Sequence, residues 1–540
     1  MSGLTRRGVL GTASLLGAAA LADRSPAAVR ASWESLAAQF RTPEWFRDAK
    51  LGIWSHWGPQ CVPEWGDWYA RKMYVQGSPF YDHHRKTYGH PADTGFIDII
   101  GQWRADKWQP EMLAAKFKAA GARYLVSMAN HHDNFDNFAS RYHPWNSTRV
   151  GPRRDIVGTW AKAARAQGLR FGVSNHAAHA WHWLQAAYGY DPEGSRRGQR
   201  YDAFRLRKSD GRGKTWQGLD PQALYTGPSM VVPDGISSVA RMDEWHLAND
   251  RHWTEAAPTI NPGFSRNWLA RQIDLVQRYD PDLVYFDNEG LPLDEFGLDA
   301  AAQFYNQSIA RHGRLEGVLT GKKLSASQRS AITEDVERGW SADIRSQPWQ
   351  TCTCIGDWHY DRKIFDQRAY KAAEQVIQRL CDVVSKNGNL LLSVPQRGDG
   401  SIDAEEEKVL AGLTAWMAIN GEAIFASRPW LRYGEGPVRP AEGMMNEAKA
   451  GAFTSQDLRF TVRGGTLYAA ALVWPQKPLR IASLAAGASP VRVGRVSLLG
   501  GGQLPFTQDG SGLLVTLPEA GEGVFVPVLR IEGEGIAAGA

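Results

Sequence analysis

The residues most able to do chemistry are polar groups that end apolar runs. Asp287 closes Asp282-Leu283-Val284-Tyr285-Phe286-Asp287-Asn288, His56 follows Leu51-Gly52-Ile53-Trp54-Ser55, and His131-His132-Asp133 follows Tyr124-Leu125-Val126-Ser127-Met128. The same pattern recurs at Ser174-Asn175-His176 after Leu169-Arg170-Phe171-Gly172-Val173, and at Pro395-Gln396 after Leu390-Leu391-Leu392-Ser393-Val394. A carboxylate displayed at the end of a buried strand can act as a nucleophile, and adjacent imidazoles can bind hydroxyls, move protons or hold a metal. Asp287 is therefore the first nucleophile candidate. A structural Asp that only bonds loop amides is the plainer alternative. For the histidines, a satisfied core position and a metal cage of His131, His132, Asp133, His176 and His179 are the competing readings; the chain lacks a spaced His-x-His pair on the first strand, which disfavours the cage.

The elements needed to present such groups are parallel strands alternating with helices. Pro110–Ala120 with Gly121 as its stop, 155–167 with Gly168, Arg266–Tyr279 ahead of Pro281, and 369–386 carry helical spacing of apolar residues. Strands whose polar ends gather on one face predict a (β/α)8-like TIM barrel, α/β in class. A doubly wound sheet fits less well, because no Gly-rich phosphate turn follows the first strand. The predicted barrel spans 35–430 and carries a long insertion at about 177–260, rich in Gly, Arg, Trp and Tyr, placed to cover or shape the site. Past Gly434, segments 458–462, 466–473, 491–493, 512–517 and 523–529 alternate with Gly/Pro turns, which predicts a C-terminal antiparallel β-sandwich over 435–540.

Composition agrees with a folded two-unit chain. At 540 residues, 43% of them hydrophobic, there is material for two cores. Lys+Arg and Asp+Glu counts of 62 and 57 leave a net charge of only +5 with no long basic block, so no nucleic-acid partner is expected. The 22 tryptophans are the anomaly; they either stack on sugar faces or pack a large barrel. Residues 1–22 read as an export signal: Arg6-Arg7, a mildly apolar Gly11–Ala20 stretch and Ala20-Leu21-Ala22 fit the twin-arginine type and predict a bacterial periplasmic or secreted enzyme. No later stretch reaches the about 18 uncharged apolar residues of a membrane span. The four cysteines, Cys61, Cys352, Cys354 and Cys381, suit buried free thiols or one or two bridges, and Cys352-x-Cys354 lacks the spacing of a zinc site.

Taken in order, Trp45-Phe46, Lys50-Leu51-Gly52-Ile53-Trp54-Ser55-His56-Trp57-Gly58, Asp67-Trp68-Tyr69 with Met73-Tyr74, and His131-His132-Asp133-Asn134-Phe135 resemble the glycoside hydrolase family 29 α-L-fucosidases. So do Tyr285-Phe286-Asp287, Trp349-Gln350-Thr351-Cys352, Asp357-Trp358-His359-Tyr360 and Val384-Ser385-Lys386-Asn387-Gly388-Asn389-Leu390-Leu391-Leu392. The resemblance runs from about residue 42 to 403. It implies a barrel followed by a β-sandwich, exo-acting hydrolysis with retention, a fucosylated glycan as substrate, no cofactor and no metal. It also implies Asp287 as nucleophile and Glu337, in Glu337-Arg338-Gly339, as acid/base, with Glu334, Asp335 and Glu289 as rivals. His56, His131 and His132 would bind sugar hydroxyls, with Trp68 and Tyr285 as apolar walls.

Three positions depart from the family's pattern. Asp67 stands where the family usually has Glu, Ser174-Asn175-His176 replaces frequent tyrosines, and Gln350 replaces a frequent Glu. No arginine is assigned; Arg314, Arg329 and Arg338 are all possible partners. The altered walls leave room for an exo-glycosidase acting on a fucose analogue such as L-galactose. A catalytically inactive carbohydrate-binding protein is the reading from outside the enzyme class. Oligomeric state, linkage and aglycone preference are left open.

Overall fold

The computed structural model describes residues 28–476, 478–521 and 523–537. The expected export signal lies outside them. Eight parallel strands form one sheet: β1 Leu51–Ser55, β2 Tyr124–Asn130, β3 Arg170–Asn175, β4 Leu283–Glu289, β5 Val318–Lys322, β6 Thr333–Glu334, β7 Trp349–Cys354 and β8 Gly388–Ser393. Their order, β6-β5-β4-β3-β2-β1-β8-β7, follows the chain around a barrel. The seam between β6 and β7 is drawn together by a parallel bridge from Asp335 to Gln350 and by the Val336 N–H, which donates to the Gln350 carbonyl at 2.8 Å. Strands β1, β2, β5, β7 and β8 are buried along their whole length, as a sheet sandwiched between a packed interior and a ring of helices requires.

Local chemistry sets the helix limits close to those the sequence suggests. Pro110 opens the helix Pro110–Ala119, and Gly121, at φ 105°, turns the chain out of it. Asp155 caps the helix Ile156–Ala166 by accepting from the Gly158 N–H at 2.9 Å. The helices Pro262–Tyr279 and Glu295–His312 flank β4, Ala373–Ser385 precedes β8, and Ala404–Ile424 follows it. None of the helices among the described residues is long and apolar enough to cross a membrane.

Two antiparallel sheets make the second unit. A five-stranded sheet, ordered β13-β16-β11-β10-β9, holds β9 Arg428–Glu435, β10 Leu458–Arg463, β11 Thr466–Ala471, β13 Arg492–Leu498 and β16 Val528–Glu534. A three-stranded sheet, β12-β15-β14, holds β12 Leu479–Ile481, β14 Phe506–Asp509 and β15 Gly512–Val515. This unit has its own core, including Trp430, Phe460, Leu467, Ile481, Leu513 and Ile531. Its first strand starts at Arg428, upstream of residue 435, and in the 523–529 segment regular strand begins only at Val528. A buried ion cluster joins it to the barrel: Asp382, on the helix Ala373–Ser385, accepts from Arg459 of β10 at 2.6 Å and from Lys386 at 2.9 Å.

All four cysteines are buried free thiols. Most tryptophans, among them Trp57, Trp103, Trp145 and Trp160, are core residues.

The loop after β2, which carries both adjacent histidines, is clamped by Arg271 of the helix Pro262–Tyr279. Its guanidinium bonds both oxygens of buried Asp136, at 2.6 and 3.1 Å, and Asn134 Oδ1 at 2.6 Å. Arg271→Leu leaves the buried Asp136 carboxylate with the Asn130 amide but no charged partner, and chemical denaturation should show a loss of about 3–5 kcal/mol.

Candidate active site

A cavity of about 530 Å³ opens at the carboxyl ends of the strands, the face on which barrels carry their chemistry. Every binding and catalytic residue expected from the sequence lines it: His56, Asp67, Trp68, His131, His132, Tyr285, Asp287 and Glu337. The rival carboxylates are placed elsewhere or differently. Glu334 is tied to Arg345 at 2.6 Å, to Arg329 and to the Leu324 N–H. Asp335 is fully buried on the seam against Gln350, Cys352 and the Tyr285 hydroxyl. Glu289 reaches the cavity wall but is half-exposed and paired with Lys323.

The centre of the site is a side chain that sequence reasoning missed. Lys322, the last residue of β5, places Nζ against Asp287 Oδ1 and, at 2.5 Å, against Glu337 Oε2. One ammonium touching both acids holds their oxygens no more than about 5 Å apart, two hydrogen-bond lengths. Burial works to raise the Asp287 carboxyl, but Lys322 and then His176 outweigh it and hold it well below the usual carboxylate range. Conversely, Asp287 and Glu337 overcome burial and hold the Lys322 ammonium well above its ordinary value. Asp287 is thus an ionised carboxylate in a dry site.

Its second oxygen faces His176 Nδ1 at 3.1 Å and His132 Nε2 at 3.4 Å. The Trp54 indole N–H donates to Ser174 Oγ at 3.2 Å, and Ser174 Oγ lies 3.1 Å from His176 Nε2. With its oxygen accepting from Trp54, the Ser174 hydroxyl is free to donate to Nε2, which leaves the proton on Nδ1 directed at Asp287. The residues standing in for the family's tyrosines therefore orient the carboxylate.

Two histidines of the wall, His56 and His131, are neutral. Burial and neighbouring imidazoles push His56 and His131 well below their ordinary value. Gln60 accepts from the Ala70 N–H, so its amide N–H is what meets His131 Nδ1 at 2.9 Å, and the His131 proton sits on Nε2 as a donor. Both ring nitrogens of His56 and Nε2 of His359 are buried without a partner among the described residues. Unsatisfied polar groups around a cavity are what a polyhydroxylated ligand would complete.

Asp67, one methylene shorter than Glu, meets His359 Nδ1 at 2.5 Å. Trp68 lies 6.4 Å from Trp253 with the rings nearly parallel, and Trp253 brings the insertion into the cavity wall. From the same insertion, Glu255 bonds His179 at 3.1 Å and the Glu289 N–H at 2.9 Å.

Two groups are compact enough to hold an ion: His56, Asp67, His131 and His359, and His131, His132 and His176. The imagined cage is not assembled, since Asp133 and His179 belong to neither. Both groups depend on His131, whose open nitrogen carries a proton rather than a lone pair. The donor set therefore suits hydroxyls better than a metal. Of the three unassigned arginines, Arg338 lines the cavity, Arg329 bonds Glu334, and Arg314 pairs with Glu316.

A parallel barrel with two close carboxylates and a hydroxyl-binding wall defines a glycoside hydrolase. The model of the alpha-L-fucosidase family matches residues 17–422, and the chain belongs to that family. Tissue alpha-L-fucosidase of Rattus norvegicus is 26% identical over 501 residues, covering 91% of this chain and 89% of that protein. The Homo sapiens tissue enzyme is 26% identical over 517 residues, with 93% and 91% covered. The crystal structure of Thermotoga maritima alpha-fucosidase superposes with a TM-score of 0.64 at 25% identity, covering 93% of this chain and 99% of that one.

Lys322→Met keeps the aliphatic stem and removes the charge that keeps Asp287 ionised. The carboxyl pKa then rises, so the acid limb of the kcat/KM profile should move up by about one pH unit or more. A limb that stays in place would assign the low pKa to the histidines instead.

Proposed function

We propose that the protein is an exo-acting retaining α-L-fucosidase that releases terminal α-L-fucose from glycans by double displacement. The observation that carries this reading is the shared contact of Lys322 with Asp287 and Glu337. An upper bound of about 5 Å between the two Lys322-bound oxygens fits a nucleophile and an acid/base on either side of one anomeric carbon, whereas the carboxyl groups of an inverting pair stand roughly 6.5–9.5 Å apart to admit a water.

Asp287, held ionised, attacks the anomeric carbon while Glu337, which has to take up a proton and so trade its ion pair with Lys322 for a neutral hydrogen bond before this step, gives that proton to the departing glycosidic oxygen. The sugar is then esterified to Asp287. Glu337, now a carboxylate, takes a proton from water, which attacks the same carbon and frees Asp287. His176, whose Nδ1 faces the second oxygen of Asp287, meets the charge that returns to it. His56 and His131 offer donors and acceptors to the sugar hydroxyls, and the Tyr285 and Trp68 rings supply the apolar walls. The expected export of the chain by a twin-arginine leader would place this chemistry outside the cytoplasm.

Azide separates the roles. On an aryl α-L-fucoside, Glu337→Ala should lose about 10²–10⁴-fold in kcat/KM and recover turnover with azide, giving α-L-fucosyl azide, because azide attacks the glycosyl-Asp287 intermediate in the second step without needing a general base. Glu334→Ala and Glu289→Ala should keep activity near wild type and show no rescue. Azide rescue of either of these two in place of Glu337 would reassign the acid/base. Sugar binding without turnover by the wild type would favour the inactive carbohydrate-binding reading.

A further inference from the structure

The reaction direction fixes where the leaving group must lie. The acid/base has to reach the glycosidic oxygen, so the part of the substrate beyond that oxygen leaves on the Glu337 side of the cavity. The wall there is Arg338, Met444 and Met445. The two methionines come from the C-terminal unit, on the loop between β9 and β10, beyond the 422 residues at which the family match ends.

This loop is zipped onto the acid/base segment. The Met445 N–H donates to the Glu337 carbonyl at 2.9 Å and the Glu447 N–H to the Arg338 carbonyl at 2.8 Å. Gly443 and Trp340 exchange both backbone bonds, at 3.0 and 3.3 Å. Glu447 anchors the arrangement from behind: its carboxylate accepts from Thr353 Oγ1 and faces Arg379 at 3.2 Å, Arg338 at 3.3 Å and Lys371 at 3.6 Å. Arg379 and then Lys371 outweigh burial and hold that carboxyl below its ordinary value.

Two non-glycine residues take left-handed backbone in this contact, Arg338 at φ 43° and Met445 at φ 58°. Such conformations cost on the order of 1 kcal/mol or more each and persist only where the surroundings impose them. The strain points the same way as the exposure. Met444 packs beside Val336 and Trp349, whereas Met445 is 55% exposed, a large apolar side chain at the cavity rim rather than in a core. Arg338 uses Nε on Glu447, and among the described residues its two terminal nitrogens make no hydrogen bond to the protein.

Resting on the fucosidase reading above, we infer that Met444, Met445 and Arg338 form the subsite for the leaving-group sugar, built jointly by barrel and C-terminal unit. The apolar face of a pyranose lies on the Met445 thioether, an unbranched and polarisable surface that adapts to different sugars. Arg338 supplies donors to that sugar's hydroxyls. The C-terminal unit thereby selects the aglycone while the barrel selects fucose.

The test compares a fucosylated disaccharide with α-L-fucosyl fluoride, which has no leaving-group sugar. Met445→Ala and the double variant Met444→Ala/Met445→Ala should lower the disaccharide-to-fluoride ratio of kcat/KM about tenfold, chiefly through KM, and Met445→Leu should restore most of it. An unchanged ratio in all three variants, whether both rates fall together or neither moves, would overturn the subsite. Wild-type enzyme that hydrolyses neither compound would overturn the fucosidase reading itself, a result visible before any variant is made.

Discussion

The ammonium of Lys322 lies buried between two carboxylates, and the rest of the site is arranged around that contact. A lysine taken out of water is tolerated only if its charge is met, and an ionised aspartate in the same dry pocket has the same need. Placing the cation at the end of β5 and the two acids at the end of β4 and on the seam satisfies all three groups at once. The contact also sets the distance between the acids. Charge balance, which a folded chain must achieve anyway, here also keeps the two carboxylates as close as the proposed double displacement requires.

Glu337, the proposed acid/base, stands on the weakest joint of the barrel. β6 has two residues, and the closure to β7 is a bridge and a few N–H bonds around Asp335, Val336 and Arg338. A seam so short would leave Glu337 free to wander, which a proton donor cannot do. The C-terminal unit compensates by laying the 443–447 loop along it, fastened by Glu447 among three cations. The Arg459–Asp382–Lys386 cluster fixes the same unit to the helix before β8. The second unit therefore contributes to the site by holding geometry, with its own core providing the stiffness.

What could be read from the sequence was whatever a local pattern expresses. The ends of β1, β2, β3, β4 and β8 were legible because an apolar run that stops on a polar residue is visible in a few letters. That is why Asp287, His56, His131 and His132 were found. β5 and β6 were not, since Val318–Lys322 contains Gly321 and ends in Lys322-Lys323, which reads like a solvated pair, and two residues make no pattern at all. Glu337 was put ahead of Glu334 and Asp335 only through the family resemblance, because what separates them lies in partners distant in sequence: Arg345 for the first rival, Cys352 and Gln350 for the second, Lys322 for Glu337. His359 was visible only as one letter of the Asp357-Trp358-His359-Tyr360 block, because its partner Asp67 lies far away in sequence. Trp253 and the methionines reach the cavity through chain excursions that spacing does not reveal.

The central claim is that Asp287 and Glu337 sit at the separation of a retaining pair, and the most direct measurement is the configuration of the first sugar released. Proton NMR of an aryl α-L-fucoside, recorded within the first minutes of hydrolysis, follows the anomeric signals before mutarotation mixes them. The account predicts that α-L-fucose appears first and the β anomer only later, as mutarotation proceeds. Initial release of β-L-fucose would contradict it, because a single displacement by water needs room between the carboxylates that the Lys322 bridge does not leave.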